Sequence, residues 1–181
     1  MIDHVYLKIK IMNKVSNVIS IWDNGEVWPC GAPIALEVSG RGAKRISTQT
    51  WVYRDQRHCL SMHDRGYRSF YVLPDHTGFV AIDGSPGKHA HILNGDGSIR
   101  FILTPSFNVR RLSLEQLAKI KKLQREGLLF KDGEDSTLFH YVSNNTEKLE
   151  IFGDDGFGDC YYTYDWNTGA LISARALPYR T

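Results

Sequence analysis

Hydrophobic and polar positions alternate at the start of the chain. Val5, Leu7, Ile9 and Ile11 are separated by Tyr6, Lys8 and Lys10, the period of two expected of a strand with one buried and one wet face. Val15 to Trp22 is again apolar and β-branched, and it runs into Asp23-Asn24-Gly25, whose last two residues tolerate positive φ and so predict a hairpin turn. Ile34 to Val38 reads as a further strand that stops at the loop Ser39-Gly40-Arg41-Gly42. Trp51 to Arg54 and Ser69 to Leu73 are shorter strand candidates.

One motif then recurs: an apolar run, a turn rich in Asp, Asn and Gly, and a second apolar run. It spans Tyr71 to Val80, Ile92 to Ile99 and Tyr164 to Leu171. These segments resemble the hairpins of propeller blades and YD-type repeats, but their irregular spacing assigns the likeness to shared turn chemistry rather than to an array. The period changes to that of a helix after Ser113. This residue and Gln116 form a capping-box pattern, and Leu114, Leu117, Ala118, Ile120 and Leu123 follow before a stop near Gly127. The apolar stripe is wide enough to predict that the helix lies on a sheet. Lys119, Lys121, Lys122 and Arg125 crowd its last turns, where they suit the negative end of the helix dipole. Leu138 to Val142, Lys148 to Phe152 and Cys160 to Tyr164 are the later strands, with Asn144-Asn145 as a turn between the first two. The expected fold is α+β, mainly antiparallel hairpins and meander, with one principal helix near residues 113–126. No linker or low-complexity stretch divides the chain, so a single domain over 1–181 is expected.

Composition adds that the 181 residues are 42% hydrophobic and 12% aromatic, enough for a core and unlike a disordered chain. Residues 1–10 hold no long apolar stretch, and no run elsewhere approaches the length of a membrane span, which points to a cytoplasmic protein. Cys30, Cys59 and Cys160 are odd in number and form no Cys-x-x-Cys pair, as expected of reduced thiols, with Cys59 in the core. The net charge of +2 hides an asymmetry. Between Arg41 and Arg68 seven basic residues face two acidic ones. Between Lys131 and Asp165 nine carboxylates face two lysines.

Three clusters could carry chemistry. His89-Ala90-His91 places two imidazoles on one face of a strand, where they could share a metal ion. With Gly84 the pair resembles the first metal motif of cupins, which implies a small metal-dependent enzyme. The glycine is one residue too close, and Gly95-Asp96 stands where that motif has a glutamate. The hairpin beyond it predicts Arg100 opposite His91 on the wet face, a neighbour that disfavours a bound cation. His58, Cys59 and His63 form a second donor group, one ligand pair and a spare. The basic segment Arg41 to Arg57, which includes Lys44, Arg45, Trp51, Tyr53 and Arg54, has the mixed composition of a nucleic-acid groove, with weak, salt-sensitive binding as its expected limit.

The acidic region ends differently. Gly153-Asp154-Asp155-Gly156-Phe157-Gly158-Asp159 lacks the alternating ligands and terminal glutamate of an EF-hand loop, and Tyr161, Tyr162, Tyr164 and Trp166 follow it. Exposed aromatics beside carboxylates suit a protein-binding hot spot for a basic partner, with Asp154, Asp155, Asp159, Tyr162 and Trp166 as its residues. In composition and style the chain resembles the immunity proteins that bacteria make against toxins. That resemblance implies stoichiometric blocking of a cognate toxin, commonly a basic nuclease, with no catalytic residue, metal or other cofactor.

Overall fold

The computed structural model describes residues 13–29, 46–84, 87–106, 109, 111–126, 137–143 and 148–178. The expected strands at Val5–Ile11 and Ile34–Val38, the loop Ser39–Arg45 and the turn Asn144-Asn145 lie outside them. The chain gathers into two compact units, one of residues 1–85 and 90–102, the other of residues 86–89 and 103–181.

The first unit holds two four-stranded sheets. Sheet I has the order β2-β1-β3-β4, built from β1 (Ser16–Trp22), β2 (Val27–Pro29), β3 (Ile46–Tyr53) and β4 (Gln56–Ser61). The turn after β1 forms where Asn24-Gly25 predicts it. Gly25 sits at φ 82°, its N–H bonds Trp22, and Asn24 accepts the N–H of Glu26. Sheet II has the order β5-β6-β7-β8, with β5 (Tyr67–Val72), β6 (Gly78–Asp83), β7 (Ala90–Asn94) and β8 (Ile99–Leu103). Two of the predicted hairpin turns fall here, at residues 74–77 and 95–97.

Aromatic side chains from both sheets make the core of this unit. Trp51 of β3 meets Phe79 edge-on at 4.7 Å, and Phe70 lies 4.4 Å from Phe79. The buried Trp51 indole N–H donates to the Gly95 carbonyl at 2.6 Å, which removes the cost of an unpaired donor and ties β3 to the β7–β8 turn. Between β4 and β5 lies a one-turn helix, α1 (Met62–Arg65), that periodicity does not predict. Its ends are nevertheless marked: Ser61 accepts the N–H of Asp64, and Gly66 closes the turn at φ 69°.

The second unit holds the long helix α2 (Leu114–Arg125) and sheet III, in the order β12-β11-β10-β9. The capping box forms in both directions: the N–H of Ser113 donates to Gln116 Oε1 at 2.8 Å, and the N–H of Gln116 to Ser113 Oγ at 3.2 Å. The helix is less covered than its stripe predicts. Leu117, Ile120 and Leu123 are half-buried, Leu114 is 87% exposed, and none of its described side chains is buried. Among the described residues no helix is long and apolar enough to cross a membrane.

Sheet III comprises β9 (Leu138–Val142), β10 (Leu149–Asp154), β11 (Asp159–Tyr164) and β12 (Leu171–Ala176), paired antiparallel. The predicted strands 138–142, 148–152 and 160–164 thus all form, as does the turn at 165–169, where the N–H of Gly169 bonds Asp165. Alternation gives the sheet two unlike faces. Phe139, Leu149, Ile151, Cys160, Tyr162 and Tyr164 point inward and are buried. Gly153, in β10, lies against the backbone carbonyl of Leu138 and the ring of Tyr162, so close that a Cβ there would overlap the carbonyl. Gly153→Ala is therefore expected to destabilise the chain by about 1–3 kcal/mol, the usual cost of forcing extra volume into a filled site. Urea unfolding followed by circular dichroism measures it, and an unchanged midpoint would show that the strands can separate at no cost.

Candidate protein-binding face

The outer face of sheet III is assembled by register. Tyr141 of β9 stands opposite Phe152 of β10, Phe152 opposite Tyr161 of β11, and Tyr161 opposite Arg175 of β12. One row of side chains thus crosses all four strands. Tyr141 and Phe152 stack at 4.8 Å between ring centroids, Phe152 and Tyr161 meet edge-on at 5.3 Å, and the Arg175 guanidinium lies 5.1 Å from the Tyr161 centroid. Such cross-strand pairs stabilise a sheet, yet they do so on its outer side: Tyr141 is 44% exposed, and Phe152 and Tyr161 are half-buried.

Carboxylates flank the row on both sides. Glu150 precedes Phe152 by two positions on the same face and pairs across from Thr163, while Asp154 and Asp159 stand directly opposite each other at the other end. Two like charges in register cost stability, and Asp154 also sits in a partly desolvated site. Burial pushes the Asp154 carboxyl above its ordinary value, and the N–H groups of Gly156 at 2.6 Å and Gly158 at 3.3 Å draw it part of the way back.

Of the five residues expected on a docking surface, Asp154 and Asp159 are brought together on the outer face. Trp166 is half-buried in the β11–β12 turn. Asp155 and Tyr162 correct the expectation, because both are fully buried. Asp155 turns into the tight loop 155–158, where its Oδ1 accepts the N–H of Phe157 at 3.0 Å and its own N–H bonds Gly158. Tyr162 points inward because it shares parity with Cys160 and Tyr164, and its hydroxyl lies 3.0 Å from the carbonyl oxygens of Ser106 and Asp154. Tyr161 takes the outward place. The polar neighbours Asp159 and Thr163 share its parity and were the signal for it; Tyr141, Phe152 and Arg175 become a group only through the register, which the sequence does not print.

His91, His58, Cys59, His63 and the described part of the basic segment lie in the first unit, and His89 in the second. His91 is half-buried, with Nδ1 2.9 Å from the Tyr67 hydroxyl and Nε2 3.3 Å from Asp83 Oδ1, while His89 is exposed. Both nitrogens of His91 are therefore engaged, and a metal ion would have to displace one partner. Burial raises the Tyr67 phenol above its ordinary value and keeps it a neutral donor. Arg100 Nε donates to Asn94 Oδ1 at 2.8 Å, which holds the guanidinium beside the β7–β8 turn. Among the described residues no group of three or more His, Cys, Asp and Glu is placed to hold a metal ion.

Cys59 is exposed rather than part of the core, since β4 directs its neighbour Leu60 inward. His58 stacks on Trp51 at 5.7 Å, and His63 is exposed beside Asp64 on α1. In the basic segment Arg54 lies over the Tyr53 ring and bonds Asn13, while Arg41, Lys44 and Arg45 lie outside the described residues.

A chain of a solved complex, "Structure of Tne2 in complex with Tni2", matches this fold. The match has a TM-score of 0.60 and covers 91% of this chain and 99% of that one, at 11% identity. At that identity the likeness is one of fold. No protein-family model and no curated protein matches the sequence.

The desolvated Asp154 gives a pH test. A carboxyl whose folded value is raised favours the folded state below the ordinary carboxylate range, and that contribution is lost as pH rises through the folded value. Asp154→Asn keeps an acceptor for the two glycine N–H groups and removes the charge. Relative to the native chain, the variant should gain stability at neutral pH, and the gain should vanish near pH 3. Urea unfolding at both pH values checks this, and a variant less stable at neutral pH would show that the ionised form is the better fit.

Proposed function

We propose that this chain is a binding protein of the immunity type, which neutralises a basic protein partner by covering it, and that the outer face of sheet III is its docking surface. The observation that carries the reading is the row Tyr141, Phe152, Tyr161 and Arg175, set on an exposed sheet face between Glu150 and the Asp154–Asp159 pair. Aromatic anchors bordered by charge are what concentrated binding energy requires, and the carboxylates would steer a basic partner in. The fold likeness to a chain from a complex of two proteins, Tne2 and Tni2, supports a protein as the partner. In this reading Asp154 and Asp159 are the steering carboxylates, Tyr161 takes the anchoring role expected of Tyr162, and Asp155 and Tyr162 hold the loop and the sheet beneath. A cytoplasmic setting suits the exposed, unpaired Cys59. Turnover has no part in this reading.

The test is co-expression with a candidate toxin, sought first among the genes neighbouring this one. Growth should be restored, and the two chains should co-purify in a fixed ratio. In that complex Tyr161→Ala is expected to speed dissociation by about 30-fold, the equivalent of ~2 kcal/mol at an anchoring aromatic. Asp159→Lys should slow association and reduce its dependence on salt. If a complex forms and both variants, folded by thermal melt, keep native rates, the docking surface lies elsewhere. If the toxin candidate kills regardless and binds nothing, the immunity reading falls.

A further inference from the structure

The chemistry of the row says what it would grip. An aromatic ring presents a negative face, and it attracts a guanidinium or ammonium group within about 6 Å of its centroid. Sheet III already shows this contact: the Arg175 guanidinium lies 5.1 Å from the Tyr161 centroid, on the edge strand β12 and at the end of the row. The Phe152 and Tyr141 rings continue the row across β10 and β9, with Tyr141 well exposed. Glu150 on one flank and Asp154 with Asp159 on the other add net negative charge beside the rings. Rings and carboxylates on one face complement a cationic side chain both by quadrupole and by charge.

We infer that the row is a receptor for arginine and lysine side chains of the partner, and that Arg175 is an internal occupant of it which a partner's cation displaces. This rests on the reading of the face as a docking surface and adds the chemistry of its occupant. Arg175 is exposed on an edge strand, so its side chain can leave the ring without breaking the core. Its positive charge, in register with Tyr161, opposes an incoming cation.

The experiment uses the full chain and a synthetic oligo-arginine peptide, followed by amide shifts in nuclear magnetic resonance and by titration at low and physiological salt. The peptide should perturb the amides of Tyr141, Phe152, Tyr161 and Arg175. Arg175→Gln should tighten it by about two- to five-fold, the worth of one exposed cation–π contact, and Tyr161→Leu should weaken it by a similar factor. Tighter binding by Arg175→Gln together with loss by Tyr161→Leu supports the inference. Weaker binding by Arg175→Gln, or binding indifferent to Tyr161→Leu and governed by the carboxylates alone, overturns it, as do shifts confined to another surface. The two readings fail separately: this peptide response in a chain that protects no cell removes only the immunity role, whereas protection with an unresponsive row removes only this inference.

Discussion

The hydroxyl of Tyr162 lies within 3.0 Å of two main-chain carbonyls, those of Ser106 and Asp154, in a side chain with no exposed surface. It can donate to one at a time, and in either case a buried phenol is spared the cost of an unmade hydrogen bond. Tyr164 repeats the device with the carbonyl of Thr104 at 2.6 Å. With these two rings fixed on the inside, the period of two leaves Tyr161 no place but the outer face, and the register then aligns it with Phe152 and Tyr141. The candidate docking row is therefore a product of what is buried beneath it.

The loop between β10 and β11 depends on the same arrangement. The Asp154 carbonyl faces the Tyr162 hydroxyl, while its side chain gathers the N–H groups of Gly156 and Gly158, and Asp155 holds that of Phe157. The acidic residues that look like a ligand set in the sequence spend their oxygens on backbone donors. What remains for a partner is the charge of Asp154 and Asp159 at the sheet's end, beside rings that supply apolar area.

Features governed by neighbours in the chain were legible in advance. Asn24-Gly25, Asn94 to Gly97 and Asp165 to Gly169 each form the turn their conformational freedom allows, and Ser113 with Gln116 forms the capping box. The strands at 138–142, 148–152 and 160–164 were legible because alternation marks them, whereas β12 was not. What depends on distant pairing was not. The bulge between Phe152 and Gly153 decides that Tyr141 joins the row, and no local pattern encodes it. The parity of Tyr161 and Tyr162 could have been taken from Asp159 and Thr163, but a run of four aromatics among six residues masks it. Cys59 was misplaced for a related reason, since its small apolar side chain fits a core as well as the outer side of β4, and only the partner strand decides. The cover on α2 depends on what packs against it, which its stripe alone cannot say.

The buried phenols also set how the second unit responds to alkali. Burial raises Tyr162 and Tyr164 well above the ordinary tyrosine value, so the folded chain holds those protons where an unfolded one would release them. Their contribution to stability is whole below the ordinary value near pH 10 and drains away as pH climbs toward the folded values. Ultraviolet absorbance at high pH would then follow the release of these two protons. The inner pair keeps its protons for as long as sheet III stays closed over them, so their ionisation reports the opening of that sheet. The inner face of the sheet thus signals its own unfolding through two protons.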